Sequence, residues 1–77
     1  MKITLENTTK VVQLNGIPCR IWEGTTERGV PCHAYIVRIA VPYAAATKEG
    51  SEEFDRDLDQ QRAPSPDVAA IPARLIL

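Results

Sequence analysis

The stretch from Pro31 to Val41 constrains the fold more than any other part of the chain, because nearly every residue in it favours a β-strand. Ile36 and Ala40 fall on one side of the pleat of such a strand. Val37 and Ile39 fall on the other side. A strand that is apolar on both faces needs a layer of protein over each. The sequence therefore predicts that residues 31–41 form the central strand of a sheet.

The length of the chain predicts a single small domain over residues 1–77. A core of this size supplies only about 3–5 kcal/mol of net stability without a disulfide, a metal or self-association. The apolar central strand makes self-association the simplest of these, so we expect a homodimer. A net charge of -1 and a hydrophobic content of 44% indicate neither disorder nor direct binding to nucleic acid.

Two features of the sequence bear on cellular location. No apolar run approaches the roughly 18 residues that span a bilayer, and polar residues follow Met1-Lys2-Ile3 where a signal peptide would be apolar. We therefore expect a cytoplasmic protein that makes no contact with a membrane. In a reducing cytosol Cys19 and Cys32 are expected to be free thiols.

The N-terminal third has the pattern of three strands. Alternation over residues 3–5 predicts a first strand that the polar cluster at 7–9 closes, and residues 10–14 predict a second. Residues 17–23 predict a third, with Pro18 in an edge or non-hydrogen-bonded position because it has no N–H. A polar loop over residues 24–29 then leads into the central strand.

The dipeptide Asn15-Gly16 is a strong hairpin signal, because a type I′ turn needs positive φ at both central positions. Such a turn places Leu14 opposite Ile17 and Val12 opposite Cys19. A loop centred between Thr25 and Thr26 would likewise place Cys19 opposite Cys32.

Helical signals begin after Tyr43. Ser51 is a good N-cap for a helix over residues 52–62, which Ala63-Pro64 ends. Ser65-Pro66 predicts one helical turn over residues 67–70, and the apolar residues 73–77 predict a final strand. The order strand, strand, strand, strand, helix, strand gives an α+β fold, with an antiparallel sheet of four to five strands and one principal helix.

Cysteine and histidine suggest a metal site, but their number and placement argue against one. The sequence has one histidine and no C-x-x-C, and Cys32 and His33 are neighbours that point to opposite faces of a strand. We predict no metal and no cofactor, with a zinc ion shared across a dimer interface as the alternative. Because catalytic triads, glycine-rich phosphate loops and paired catalytic carboxylates are also missing, we predict that the protein is not an enzyme.

Six carboxylates lie within the eleven residues from Glu49 to Asp59. A solvated helix face is one explanation, and an acidic docking surface that fits a basic groove on a partner is the other. Trp22 and a polar loop offer a second contact region, because interfaces favour Trp and Arg as anchors. The candidate partner-binding residues are Trp22, Arg28, Glu52, Glu53, Asp55 and Asp59.

The chain also resembles small accessory proteins of bacteriophage and prophage genomes. The resemblance covers most of the chain and lies in V-V-Q-L-N-G-I-P-C-R-I-W-E-G-T-T-E-R-G-V-P-C-H-A-Y-I-V-R-I-A-V, in the acidic E-E-F-D-R-D-L and in the ending I-P-A-R-L-I-L. It implies no catalytic residue. Proteins of this size and origin often inhibit host defence, as anti-CRISPR proteins do, by covering a surface of a host protein.

These observations predict a non-catalytic phage protein that binds and inhibits a host defence protein. One alternative is a small-ligand binder or sponge whose pocket forms between protomers and is lined by Arg20, Arg38 or Tyr35. Another alternative is a structural or assembly component of the virion.

Overall fold

A computed structural model describes all residues from 1 to 77, and it shows a four-stranded sheet with one main helix. The α+β fold class is confirmed, and the sheet is mostly antiparallel, in the order β3-β2-β1-β4 with β4 parallel to β1. The elements are β1 (Ile3–Leu14), β2 (Ile17–Thr26), β3 (Pro31–Ile36), α1 (Lys48–Leu58), α2 (Pro66–Ala69) and β4 (Arg74–Leu75), with a short 3-10 turn at Tyr43–Ala45.

The two inner strands are β1 and β2, so the prediction that residues 31–41 form the centre of the sheet is wrong. β3 ends at Ile36 and pairs only with β2, which makes it an edge strand. Residues 37–41 leave the sheet, and Val37 is 66% exposed. The long hairpin of β1 and β2 forms the middle of the sheet, and β3 adds a strand of only six residues at its side.

The two strands predicted at the N-terminus are one strand, β1. The polar cluster at residues 7–9 does not end it but falls in a register shift between Asn7 and Val11. Thr8 is fully buried there, and its hydroxyl donates a hydrogen bond to the Ile21 carbonyl at 2.5 Å. Because that bond satisfies the hydroxyl, a polar residue can stay inside the strand.

The hairpin between β1 and β2 is confirmed. Asn15 and Gly16 have φ of 51° and 82°, as a type I′ turn requires, and the pairs Leu14–Ile17 and Val12–Cys19 form as predicted. Pro18 lies opposite Gln13, and pairing of β2 with β3 begins only at Arg20.

The register predicted between β2 and β3 is wrong. β2 continues to Thr26, where a tight turn is closed by the Thr26 amide, which donates to the Val30 carbonyl at 3.0 Å. Cys32 therefore lies opposite Gly24 and not opposite Cys19. Both cysteines are free thiols.

Helix α1 begins and ends four residues earlier than the sequence predicts. Its N-cap is Thr47, whose hydroxyl accepts a hydrogen bond from the Gly50 amide at 3.0 Å, so Ser51 lies inside the helix and is not its cap. The helix ends at Leu58 because the chain then joins the sheet, where the Arg62 amide donates to the Asn7 carbonyl. None of the helices has the length and apolar character needed to cross a membrane.

Helix α2 and strand β4 form close to where the sequence predicts them. The Ser65 hydroxyl caps α2 by accepting from the Val68 amide at 3.4 Å. Val68 packs against Val12 and Ile21 as the buried hydrophobic core, and Tyr35, Ile71 and Leu75 are half-buried around it. Residues 62–75 thus cover one face of the sheet and the outer edge of β1, whereas α1, on the other face, has no buried residue.

Candidate partner-binding site

A cleft of about 860 Å³ separates α1 from the sheet. Trp22 forms part of its wall, because it points from the middle of β2 to the face that α2 does not cover. Phe54 and Leu58, four residues apart on α1, face the same space and are only half-buried. We name this space the helix cleft, and its lining is Glu6, Asn7, Trp22, Ile39, Phe54, Asp57, Leu58, Asp59, Gln60, Gln61 and Arg62.

A second cleft of about 340 Å³ shares residues with the helix cleft, Trp22 and Asp59 among them, and extends toward β3. Arg20 and Arg38 line it, so these two predicted pocket residues meet within a single chain. Tyr35 lies opposite Ile21 and packs on the core, on the other face of the sheet. The two clefts together form a groove that is acidic near α1 and basic near β3.

The acidic side chains of α1 are free of ion pairs. The three ion pairs of the chain involve Lys2, Glu6, Glu23, Glu27 and Arg62, none of which lies on α1. The four predicted residues Glu52, Glu53, Asp55 and Asp59 are all exposed. The acidic face is therefore open to a partner and not neutralised within the fold.

Two of these carboxylates lie at the end of α1 where the helix dipole opposes them. Asp57 is in the last turn and Asp59 is the C-cap, so both lie beside the partial negative charge at the C-terminal end of the helix dipole. An anion there destabilises a helix by about 0.3–1 kcal/mol. Helix stability therefore does not explain why these two residues are acidic.

The structure brings together only some of the predicted partner-binding residues. Trp22 and Asp59 line the helix cleft, and Glu52, Glu53 and Asp55 lie on the exposed face of the same helix. Trp22 lies in mid-strand and half-buried, not beside the loop as predicted. Arg28 lies in the turn between β2 and β3 and lines neither cleft. The structure therefore groups Trp22 with the acidic helix and places Arg28 apart from them.

Asn7 is a site residue that sequence reasoning missed, because the polar cluster around it indicates a turn. Its side chain is 6% exposed and lines the helix cleft. Its Nδ2 donates to the Leu58 carbonyl at 2.7 Å and ties the end of α1 to the sheet. Its Oδ1 is the one buried side-chain polar atom without a hydrogen-bond partner. Such an atom is unusual in a folded protein.

A buried ionic cluster at Glu23 was also missed. Glu23 is 7% exposed and accepts hydrogen bonds from Arg62 Nη1 at 2.5 Å, from the Ser65 amide at 2.8 Å and from the Ser65 hydroxyl at 2.8 Å. Burial acts to raise the pKa of Glu23, but the hydrogen bonds from Arg62 and Ser65 outweigh it and hold the pKa below its ordinary value of 4.5. The bond to Glu23 in turn raises the pKa of Arg62.

The hydrogen bonds of Glu23 join β2 to the start of α2, and the His33 ring takes no part in them. His33 lies opposite Glu23 on β3, but its ring hydrogen bonds only with the Tyr35 hydroxyl, at 3.3 Å. The Ser65 hydroxyl donates to the Glu23 carboxylate at 2.8 Å and accepts from the Val68 amide at 3.4 Å, so it links Glu23 to the cap of α2. No three histidine, cysteine or acidic side chains come close enough together to hold a metal ion.

The chain exposes more surface than a compact monomer of its mass. Its accessible area is 5999 Å², whereas a folded monomer of 8.5 kDa has about 4,700 Å². Its radius of gyration is 13.9 Å, against about 11.5 Å for a compact chain of this length. The excess of about 1,300 Å² exceeds the roughly 800 Å² that one partner buries in a standard interface.

Comparisons with known proteins give no relative from which a function can be transferred. No protein family model, curated protein or solved structure matches the chain. The resemblance to phage accessory proteins stays a prediction from the sequence.

Proposed function

We propose that the protein is a non-catalytic inhibitor that binds a host defence protein and covers a basic surface on it. The contact surface is the acidic face of α1 together with the helix cleft. A basic groove that normally holds nucleic acid fits this surface, because the acidic helix carries the charge that such a groove attracts.

One observation carries the proposal: the carboxylates of α1 are unpaired and exposed, on a chain whose accessible area exceeds that of a compact monomer. Residues 48–59 hold six acidic and two basic residues, and none of them takes part in an ion pair. Free charges on a protein surface speed association with a surface of opposite sign. The groove beside α1 adds the aromatic side chain of Trp22, the residue type that anchors many interfaces.

The experiment is a tagged pull-down from lysate of a bacterial host, followed by a binding assay on the protein that is captured. We expect one host protein at a stoichiometric ratio, and we expect it to lose its affinity for nucleic acid when the chain is added. Simultaneous reversal of Glu52, Asp55 and Asp59 to lysine should abolish both effects without unfolding the chain, because all three side chains are exposed. A captured protein that still binds nucleic acid normally contradicts the occlusion mechanism.

A small-ligand binder is the second candidate, and the helix cleft favours it. Its volume of about 860 Å³ lies within the range of pockets that hold small molecules. This cleft lies within one chain, whereas the sequence suggested a pocket between protomers. A small molecule that stays bound in native mass spectrometry would favour this candidate over the inhibitor.

Self-association, a cytoplasmic location and the virion alternative stay predictions. β3 leaves one edge unpaired, and Val30 and Val37 beside it are 58% and 66% exposed, which fits pairing with a second copy. Light scattering at micromolar concentration should give twice the mass of 8.5 kDa if the dimer forms. Purified phage particles should lack the protein if it acts inside the host cell.

A further inference from the structure

The acidic end of the helix cleft has the features of a cation site. Asp57 and Asp59 line it, and neither forms an ion pair. The C-terminal end of the dipole of α1 adds partial negative charge at the same place. A cation that enters the cleft there meets two carboxylates and the negative end of a helix dipole.

The walls of the cleft favour a planar cation that also has an apolar part. Trp22 and Phe54 line the cleft beside Asp57 and Asp59. A guanidinium group stacks on aromatic faces, is weakly hydrated and carries five N–H donors, whereas an ammonium group is compact and strongly hydrated. Among the cationic side chains, arginine therefore fits this lining best.

The unpaired Asn7 Oδ1 provides a second, independent sign of a ligand. Asn7 is more than nine-tenths buried, lines the cleft and leaves this acceptor without a partner. The other end of its amide donates to the Leu58 carbonyl at 2.7 Å, which fixes the amide beside the end of α1. A guanidinium N–H is a suitable donor for Asn7 Oδ1.

The cations of the chain itself do not fill this position. Arg62 lines the cleft but is held by Glu6 at 3.0 Å and by Glu23 at 2.5 Å. Arg38 lines the adjoining cleft with Asp59 and forms no ion pair with it. The acidic end is therefore left open for a cation from outside.

We propose that the helix cleft is an arginine-binding pocket that receives one arginine side chain of the protein partner. The proposal rests on the proposed function and names the anchor of that interface. The cleft volume of about 860 Å³ exceeds what one guanidinium fills, so residues that flank the arginine occupy the rest beside Phe54 and Leu58. Desolvated arginines in such pockets are common hot spots of interfaces.

The test uses a blocked arginine, N-acetyl-arginine-N-methylamide, and its neutral isostere, the corresponding citrulline derivative. Trp22 is the one tryptophan of the chain, so the indole N–H signal in an NMR titration reports on the cleft alone. We expect saturable shifts with the arginine probe and a dissociation constant on the order of 1 mM, the scale expected for a ligand of this size. The citrulline probe should bind at least about tenfold more weakly, because it lacks the charge.

A charge-matched pair of variants keeps the test specific to the cleft. Asp57→Asn with Asp59→Asn should weaken binding of the arginine probe about tenfold or more, whereas Glu27→Gln with Asp67→Asn, both outside the helix cleft, should change it by less than about twofold. Both variants lose two negative charges at exposed positions. The Asp57/Asp59 variant should unfold at the same denaturant concentration as the unmodified chain or at a higher one, because it removes two negative charges from the negative end of the helix dipole.

Equal binding of the two probes, or unchanged binding by the Asp57/Asp59 variant, would overturn the arginine pocket. If those results appear while the chain still captures a host protein and blocks its nucleic-acid binding, the proposed function stands without this anchor. If the arginine probe binds as expected but no host protein is blocked, the pocket stands and the inhibitor proposal fails.

Discussion

The buried cluster at Glu23 gives the sharpest prediction for stability. The three hydrogen bonds that Glu23 accepts join β2 to Arg62 and Ser65, and these residues position α2 and its core residue Val68. A hydrogen bond to a charged group contributes about 1.5–3 kcal/mol, against about 0.5–1.5 kcal/mol for a neutral one. Glu23→Gln keeps the shape but removes the charge from all three bonds, so it should lower the free energy of unfolding by about 2–3 kcal/mol.

Urea denaturation followed by the fluorescence of Trp22 measures this loss. Glu23→Ala should cost at least as much, about 3 kcal/mol, because it leaves the Ser65 amide, the Ser65 hydroxyl and the partly exposed Arg62 side chain without their acceptor. A domain of 77 residues has about 4–12 kcal/mol of stability in total, so this loss is a quarter or more of the total. Glu27→Gln is the control, since the Glu27 side chain is 64% exposed and its one ion pair, to Lys2, is 3.9 Å long.

The lowered pKa of Glu23 makes the same contribution depend on pH. Below its ordinary value of 4.5 the unfolded chain takes up the proton before the folded chain does, so stability rises with pH in that range. The contribution of Glu23 is fully present above about pH 5 and is lost as the pH falls through the lower folded-state pKa. The gap in stability between the unmodified chain and Glu23→Gln should therefore narrow from pH 6 to pH 3. A gap that stays constant or widens on acidification would refute the reasoning.

Three further changes test the fold. Gly24→Ala should destabilise by about 3 kcal/mol or more, because the added Cβ would lie 1.8 Å from the Thr4 carbonyl oxygen on β1; a melt within 1 °C of the unmodified chain would contradict that register. Val68→Ala should cost about 2 kcal/mol by opening the core, whereas Val37→Ala, at an exposed position, should cost under about 0.5 kcal/mol in the same urea titration. Thr47→Ala should lower stability by about 1 kcal/mol if Thr47 caps α1, and a silent change would favour Ser51 as the cap.

The sequence predicts those turns and helix starts whose conformation depends on neighbouring residues alone. Asn15-Gly16 fixes the first hairpin because its turn needs positive φ at both positions, and the register of that hairpin follows from the turn alone. Ser65-Pro66 likewise places the start of α2. The apolar pattern of residues 31–41 misleads because an edge strand followed by an exposed segment carries the same residue types as a central strand.

The features that depend on distant residues could not be predicted. Glu23 alternates with Ile21 along β2, and its partners Arg62 and Ser65 lie 39 and 42 positions further along the chain. The residues next to Asn7 in the sequence indicate a turn, because none of them shows that the end of α1 will pack over its side chain. The sequence indicates the acidic helix and Trp22 as candidates. It does not indicate the cleft between them, because that cleft depends on the position of α1 relative to the sheet.

The comparison that tests the central claim most directly uses two variants of equal charge. Glu52→Gln with Asp55→Asn removes two negative charges from α1, and Glu27→Lys makes the same change in net charge at the far turn beside Arg28. The association rate with the captured host protein should fall about three- to tenfold for the helix variant in low salt, and less than twofold for Glu27→Lys. Equal rates for the two variants would show that only net charge matters and would contradict the acidic face of α1 as the docking surface.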